Sequence, residues 1–147
     1  MKAVRFSGHE LEVDYDETLA YYKHLPQIGE KDHCDCTYCK NYVLATNTFP
    51  MSVKALFQDM GVNREKGAEV SHFYEAENRK HMYVADYRLS GKLLKSPAVK
   101  TTNIYYKNND DYFTIGFENV DALEKGAGMV SFYIEAFLPW LLDIESE

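Results

Sequence analysis

Met129-Val130-Ser131-Phe132-Tyr133-Ile134-Glu135-Ala136-Phe137-Leu138 is the stretch from which the fold is read. Val130, Phe132, Ile134, Ala136 and Leu138 fall on one side, and Ser131, Tyr133 and Glu135 on the other. That period of two belongs to a strand with one face on a core. Pro139 closes it, and Trp140, Leu141, Leu142 and Ile144 are expected to dock as a short tail on the core.

Working back from this strand, the same period recurs. Gly126 and Gly128 bracket a turn. Thr101–Lys107 and Tyr112–Glu118 read as a hairpin around Asn108-Asn109-Asp110-Asp111, residues that favour turns. Val70–Ala76 reads as a strand, Glu77-Asn78-Arg79-Lys80 as a turn, and His81–Leu94 as a long returning strand with a bend at Gly91. Before Gly61 the period is helical. Val53, Leu56, Phe57 and Met60 stand at i, i+3, i+4 and i+7, Pro50 suits the helix start, and Gly61 suits its end. An earlier helix is expected from near Cys36 to about Thr46, with Cys39, Val43 and Leu44 turned inward, and these two helices are close enough in sequence for an antiparallel pair. A first helix is capped by Asp14 with Glu17, carries Tyr15, Leu19 and Tyr22 on its apolar face, and stops before Pro26 and Gly29. Residues 2–13 form a hairpin with a turn at Ser7-Gly8-His9-Glu10.

A hairpin, about three helices and about five further strands, segregated rather than alternating, predict an α+β fold with a mainly antiparallel sheet. The 147 residues suit one globular domain. Hydrophobic residues make up 46% and charged residues 27%, the composition of a globular chain; aromatics at 14% argue against disorder. The formal net charge of −7 argues against a nucleic-acid binder, which presents a basic stripe; Lys92, Lys95 and Lys100 are the only weak patch. No apolar run approaches the length of about 18 residues that spans a bilayer, the N-terminus lacks the apolar region of a secretory signal, and no lipidation signature is present. A cytoplasmic protein is the expectation.

The chemistry concentrates at His33 to Leu44. Cys34, Cys36 and Cys39, the three cysteines of the chain, sit within six residues. They are odd in number and too close together for a disulfide framework, so metal, redox chemistry or plain packing are the readings to weigh. At a helix start, free N–H groups and the dipole favour thiolate. Zinc takes four ligands, and His33, His72 or His81 would supply the fourth. An Fe–S cluster with three cysteine ligands is a further option, although the spacing matches neither the bacterial nor the plant-type ferredoxin pattern. Against all of these, free cysteine is among the most buried residue types, and zinc sites built from cysteine usually have two CxxC-like halves where this chain has one.

Cys34-Asp35-Cys36-Thr37-Tyr38-Cys39-Lys40-Asn41-Tyr42, with Met60-Gly61-Val62, Ala68-Glu69-Val70 and Leu138-Pro139-Trp140-Leu141-Leu142, resembles an uncharacterised family of bacterial proteins with a CxCxYCxN segment and a C-terminal Leu-Pro-Trp. His33 stands where that family has Gly, and Tyr42 where it has Phe. The resemblance implies a bacterial source and carries no catalytic residue.

Elsewhere the signals are weaker. The five histidines form no paired metal motif, Asp110 and Asp111 suit a turn, Glu135 a solvated strand face, and Asp86 with Arg88 a pair along one strand. There is no phosphate-binding glycine loop and no nucleophile elbow. Three functions follow. The first is a non-enzymatic intracellular protein that binds a small molecule or a protein partner on its aromatic-rich sheet. The second is a zinc-binding domain using Cys34, Cys36 and Cys39. The third is a thiol redox protein.

Overall fold

The computed structural model describes residues 1–76, 79–99, 101–106, 108–120 and 128–144, with the side chains of 102–106 and 108–112 left aside. Glu77, Asn78 and Gly126 of the expected turns, Lys100 of the weak basic patch and Lys107 of an expected strand lie outside the described residues.

The chain is α+β. Strands β1 (Lys2–Phe6) and β2 (His9–Val13) form the opening hairpin. Helices α1 (Tyr15–Lys23), α2 (Thr37–Ala45) and α3 (Met51–Met60) follow. Then come β3 (Glu69–Glu75), β4 (Lys80–Lys95), β5 (Thr101–Tyr106), β6 (Asn108–Asn119) and β7 (Met129–Pro139). The sheet is antiparallel throughout, in the order β1-β2-β4-β7-β6-β5. β3 shares an edge of β4 with β2: it pairs residues 81–86, and β2 pairs 91–95. Among the described residues, no helix is long and apolar enough to cross a membrane.

β7 is buried at every second residue from Val130 to Leu138, as its alternation requires. Its neighbour β4 buries His81, Tyr83, Ala85, Tyr87 and Leu89 on the same side. The helices cover that face. Phe57 of α3 sits edge-on to Tyr87 and Phe132, with ring centroids 4.9 and 5.0 Å away. Val53, Leu56 and Met60 are buried beside it, each contributing on the order of 1.5–3 kcal/mol through lost contact with water. Gly61 ends α3 with φ +75°, a left-handed conformation that favours glycine.

The many tyrosines do not merely decorate half-exposed strands. Tyr22, Tyr42, Tyr83 and Tyr87 are buried, and their hydroxyls fasten the helix layer to the sheet. Tyr22 donates to Arg88 O (2.7 Å), Tyr83 to Tyr38 O (2.8 Å) and Tyr87 to Arg64 O (2.6 Å), and Tyr42 shares a 2.7 Å bond with Tyr87. A buried hydroxyl without a partner is costly, so each bond holds its two elements in register.

Several local expectations are corrected. The first hairpin turns at Ser7-Gly8 alone, both with positive φ, and His9 and Glu10 are already in β2. Asp14 does cap α1, its Oδ1 accepting from Glu17 N at 3.1 Å. The buried face of α1, however, is Thr18 with Tyr22, while Leu19 is exposed; Thr18 is drawn in because its hydroxyl donates to Asp14 O and accepts from Ser90 N. In α2, Cys39 is buried with Asn41, Tyr42 and Ala45, and Leu44 faces outward. α2 lies against β3 and β7, and α3 against α1 and β1, rather than as a close pair of their own. Pro50 is the residue before α3, not its first. The second sheet hairpin reverses between Tyr106 and Asn108, so residues 108–111 belong to β6. Of the expected tail, Trp140 packs on His81 and Tyr38, whereas Leu141 and Ile144 are exposed.

Candidate metal centre

The start of α2 gathers the three cysteines. Cys36 is the N-cap, in extended conformation, and its Sγ accepts from the N–H of Cys39 at 3.4 Å while its carbonyl receives Lys40 N. Cys39, one turn in, is carried toward the core. Cys34, before the turn, folds back so that its Sγ lies 3.3 Å from Cys36 Sγ. All three sulfurs lie within 4.8 Å of one another, in a group that grades from exposed Cys34 through half-buried Cys36 to buried Cys39. No two of them are bonded as a disulfide.

The electrostatics follow that gradient. The Cys34 thiol is held below its ordinary pKa by the backbone N–H of Cys36 and then by the neighbouring thiols. The Cys39 thiol is pushed well above its ordinary value, first by burial and then by the Cys36 and Cys34 sulfurs. Three thiolates this close repel one another, so the cluster cannot carry its full negative charge unaided. A cation placed among them removes that repulsion and deprotonates the ligands outright.

The expected fourth ligands take different positions. Among the described residues, no imidazole or carboxylate joins the sulfurs within the same distance. His72 and His81 face each other across β3 and β4, with His72 Nε2 2.8 Å from His81 Nδ1. They are stacked into an aromatic cage in which Tyr38 lies flat on His72 (4.0 Å) and Trp140 packs on His81 (4.9 Å). One nitrogen of each ring serves the other. His33 differs. Its Nε2 lies 2.6 Å from Ala68 O. A carbonyl can only accept, so Nε2 carries the proton and Nδ1 bears the free lone pair. That Nδ1 is buried and has no hydrogen-bond partner.

The sequence did not single out Asn41 as a contact. It is wholly buried, donates to Pro139 O at 3.1 Å and accepts from Leu141 N at 2.6 Å. Tyr38 also meets Trp140 edge-on at 5.8 Å. The cysteine segment and the terminal Leu-Pro-Trp therefore touch in space. A polar residue on a helix face that also buries Cys39 and Tyr42 was the available signal.

Comparisons with protein-family models, with curated protein sequences and with solved structures find no match for this chain.

Proposed function

We propose that this is a metal-binding protein of non-enzymatic type, in which Cys34, Cys36 and Cys39 hold one zinc ion and His33 Nδ1 is the fourth ligand. The observation that carries the reading is the convergence of three sulfurs within 4.8 Å. In a tetrahedral site with Zn–S bonds of about 2.3 Å, ligand sulfurs stand about 3.8 Å apart, so only small adjustments separate the cluster from a thiolate zinc site. Thiolate-rich N/S donor sets favour zinc over harder cations.

His33 supports the reading from a second direction. A metal-bound histidine typically donates its other ring N–H to a backbone carbonyl, which fixes the tautomer and turns the lone pair toward the metal. His33 has that bond, to Ala68, and a buried lone pair with nothing to accept. Lying outside the sulfur group, the ring completes the site by moving toward it.

The test is elemental analysis of protein purified under reducing conditions, with thiol titration before and after chelation. About one zinc per chain is expected, with the thiols protected until a chelator removes it. Replacing zinc with Co²⁺ should give the visible and thiolate charge-transfer bands of a tetrahedral sulfur-rich site. His33→Gln keeps a donor for Ala68 but removes the ligand, and is expected to weaken metal affinity by about tenfold or more. Protein that takes up no stoichiometric zinc, and whose thiols titrate alike with and without it, would remove the proposal and leave the cysteines as packing or redox residues.

A further inference from the structure

A cleft of about 740 Å³, lined by none of the cysteines, opens between α1, α3 and the loop that follows α3. We infer that this cleft binds a small organic anion with an apolar body, a carboxylate or phosphate head on a hydrocarbon chain.

Two observations carry this. The first is the charge of the walls. Lys23, Lys54, Arg64 and Lys66 line the cleft against one carboxylate, Glu65, on a chain whose formal net charge is −7. These cations are not used up by the fold. Among the described residues, the ion pairs are Arg5 with Glu10 and Arg88 with Asp86, neither in the cleft. Lys66 reaches only the Tyr22 carbonyl at 3.4 Å, and Arg64 the Asn47 side chain at 3.0 Å, leaving its buried Nε without a partner.

The second observation is the apolar floor. Tyr15, Leu19, Phe57 and Met51 lie among the cations, and Leu19 and Met51 are exposed, Met51 by 81%. An amphipathic helix normally turns such residues inward. Here Leu19 and Met51 line the opening between two helices. A volume of this size is that of a site for a small organic molecule, and apolar walls with a few charged groups are how such sites fix orientation. Inorganic anions would leave the floor wet, and a neutral hydrocarbon would leave the cations unanswered.

The test is titration of the full chain as purified with decanoate below its micelle threshold, followed by backbone amide NMR. Decyl phosphate, decanol, decyltrimethylammonium and inorganic phosphate serve as parallel probes. Decanoate or decyl phosphate should bind saturably and shift the amides of Gly61, Val62 and Lys66, and whichever binds tighter identifies the head group. Decanol, decyltrimethylammonium and inorganic phosphate should each bind about tenfold more weakly, or not at all. The double variant Lys23→Gln, Lys54→Gln should weaken decanoate binding about fivefold to tenfold, while Lys92→Gln leaves it unchanged. Decanol binding as tightly as decanoate would overturn the inference, as would saturable binding that maps to other amides. So would sedimentation with phosphatidylglycerol vesicles without decanoate binding, which would make the cations a membrane-facing patch. None of these outcomes bears on whether Cys34, Cys36 and Cys39 hold zinc.

Discussion

Gly91 is where β4 changes partners: its pairing with β7 ends at Ser90, and its pairing with β2 begins at Gly91 opposite Val13. Its φ is +153°, and a Cβ there would stand 2.2 Å from Glu12 O and 3.1 Å from Val13 Cα. Both obstacles are backbone, so relief requires β2 to move. Gly91→Ala is expected to cost roughly 2–4 kcal/mol, from overpacking and a disfavoured backbone together. Gly128→Ala is the control: φ is +88° but nothing lies within 4 Å, and about 1 kcal/mol of backbone strain is expected. Urea midpoints for the two variants check this, and equal losses would mean that the close approach to Glu12 does not matter. The glycine was visible in the sequence as a break in a long strand, but the carbonyl it makes room for is 79 positions away in the chain and could not be. The same limit applies to His33. Its place beside Cys34 was plain, and the Ala68 carbonyl that fixes its tautomer was not.

Among the elements, α2 is hydrogen-bonded to the end of β7 through one side chain, Asn41. Asn41 has no water to turn to, and its amide closes the link from the helix to the end of β7, through Pro139 O and Leu141 N. Asn41→Leu keeps the volume and strands both backbone groups. The expected loss is about 2–3 kcal/mol, and residues 140–144 should come free, so that Trp140 fluorescence moves toward that of an exposed indole while the rest of the fold persists. A variant with native stability and unchanged emission would mean that the tail is held by Trp140 packing alone. Elements were legible where one face meets one partner. α3 and β7 obey their periods because each lies on a single apolar surface. α1 and α2 departed from theirs because polar contacts choose the buried face, Thr18 in one and Asn41 in the other. Residues 108–111 have turn composition but lie in β6; only Asn108 pairs with β5, at Tyr106, and the register shifts before pairing resumes at Tyr112, so the turn-forming residues fall where the ladder is irregular.

Taken whole, the molecule has four buried or half-buried imidazoles, and three of them, His9, His72 and His81, give its stability a pH dependence in a definite window. His9 is fully buried, beside Phe117 and 3.2 Å from Ser96 Oγ. His72 and His81 face each other, with Tyr38 of α2, Tyr83 of β4, Trp140 and the carboxylate of Glu75 around them. Burial lowers the pKa of each. For His72 the charge of His81 lowers it further, and Glu75 partly offsets the shift for both. A lowered folded-state pKa means that, below the unfolded value of about 6.5, the unfolded chain takes up protons the folded chain refuses. Stability from these residues is complete above that pH and is lost as pH falls toward the folded values, so the urea midpoint should drop between pH 7.5 and 5.5. If the cysteines hold zinc as proposed, acid would also compete for their thiolates, and substitution separates the two causes. His9→Gln with His72→Gln removes two of the three depressed groups and leaves the cysteines and His33 untouched, so it should flatten much of the decline even though its midpoint at pH 7.5 is lower. If the double variant loses stability as steeply as the parent, the protons are going elsewhere, to His81 or to the cysteine cluster, and His9 and His72 are bystanders in the acid limit of the fold.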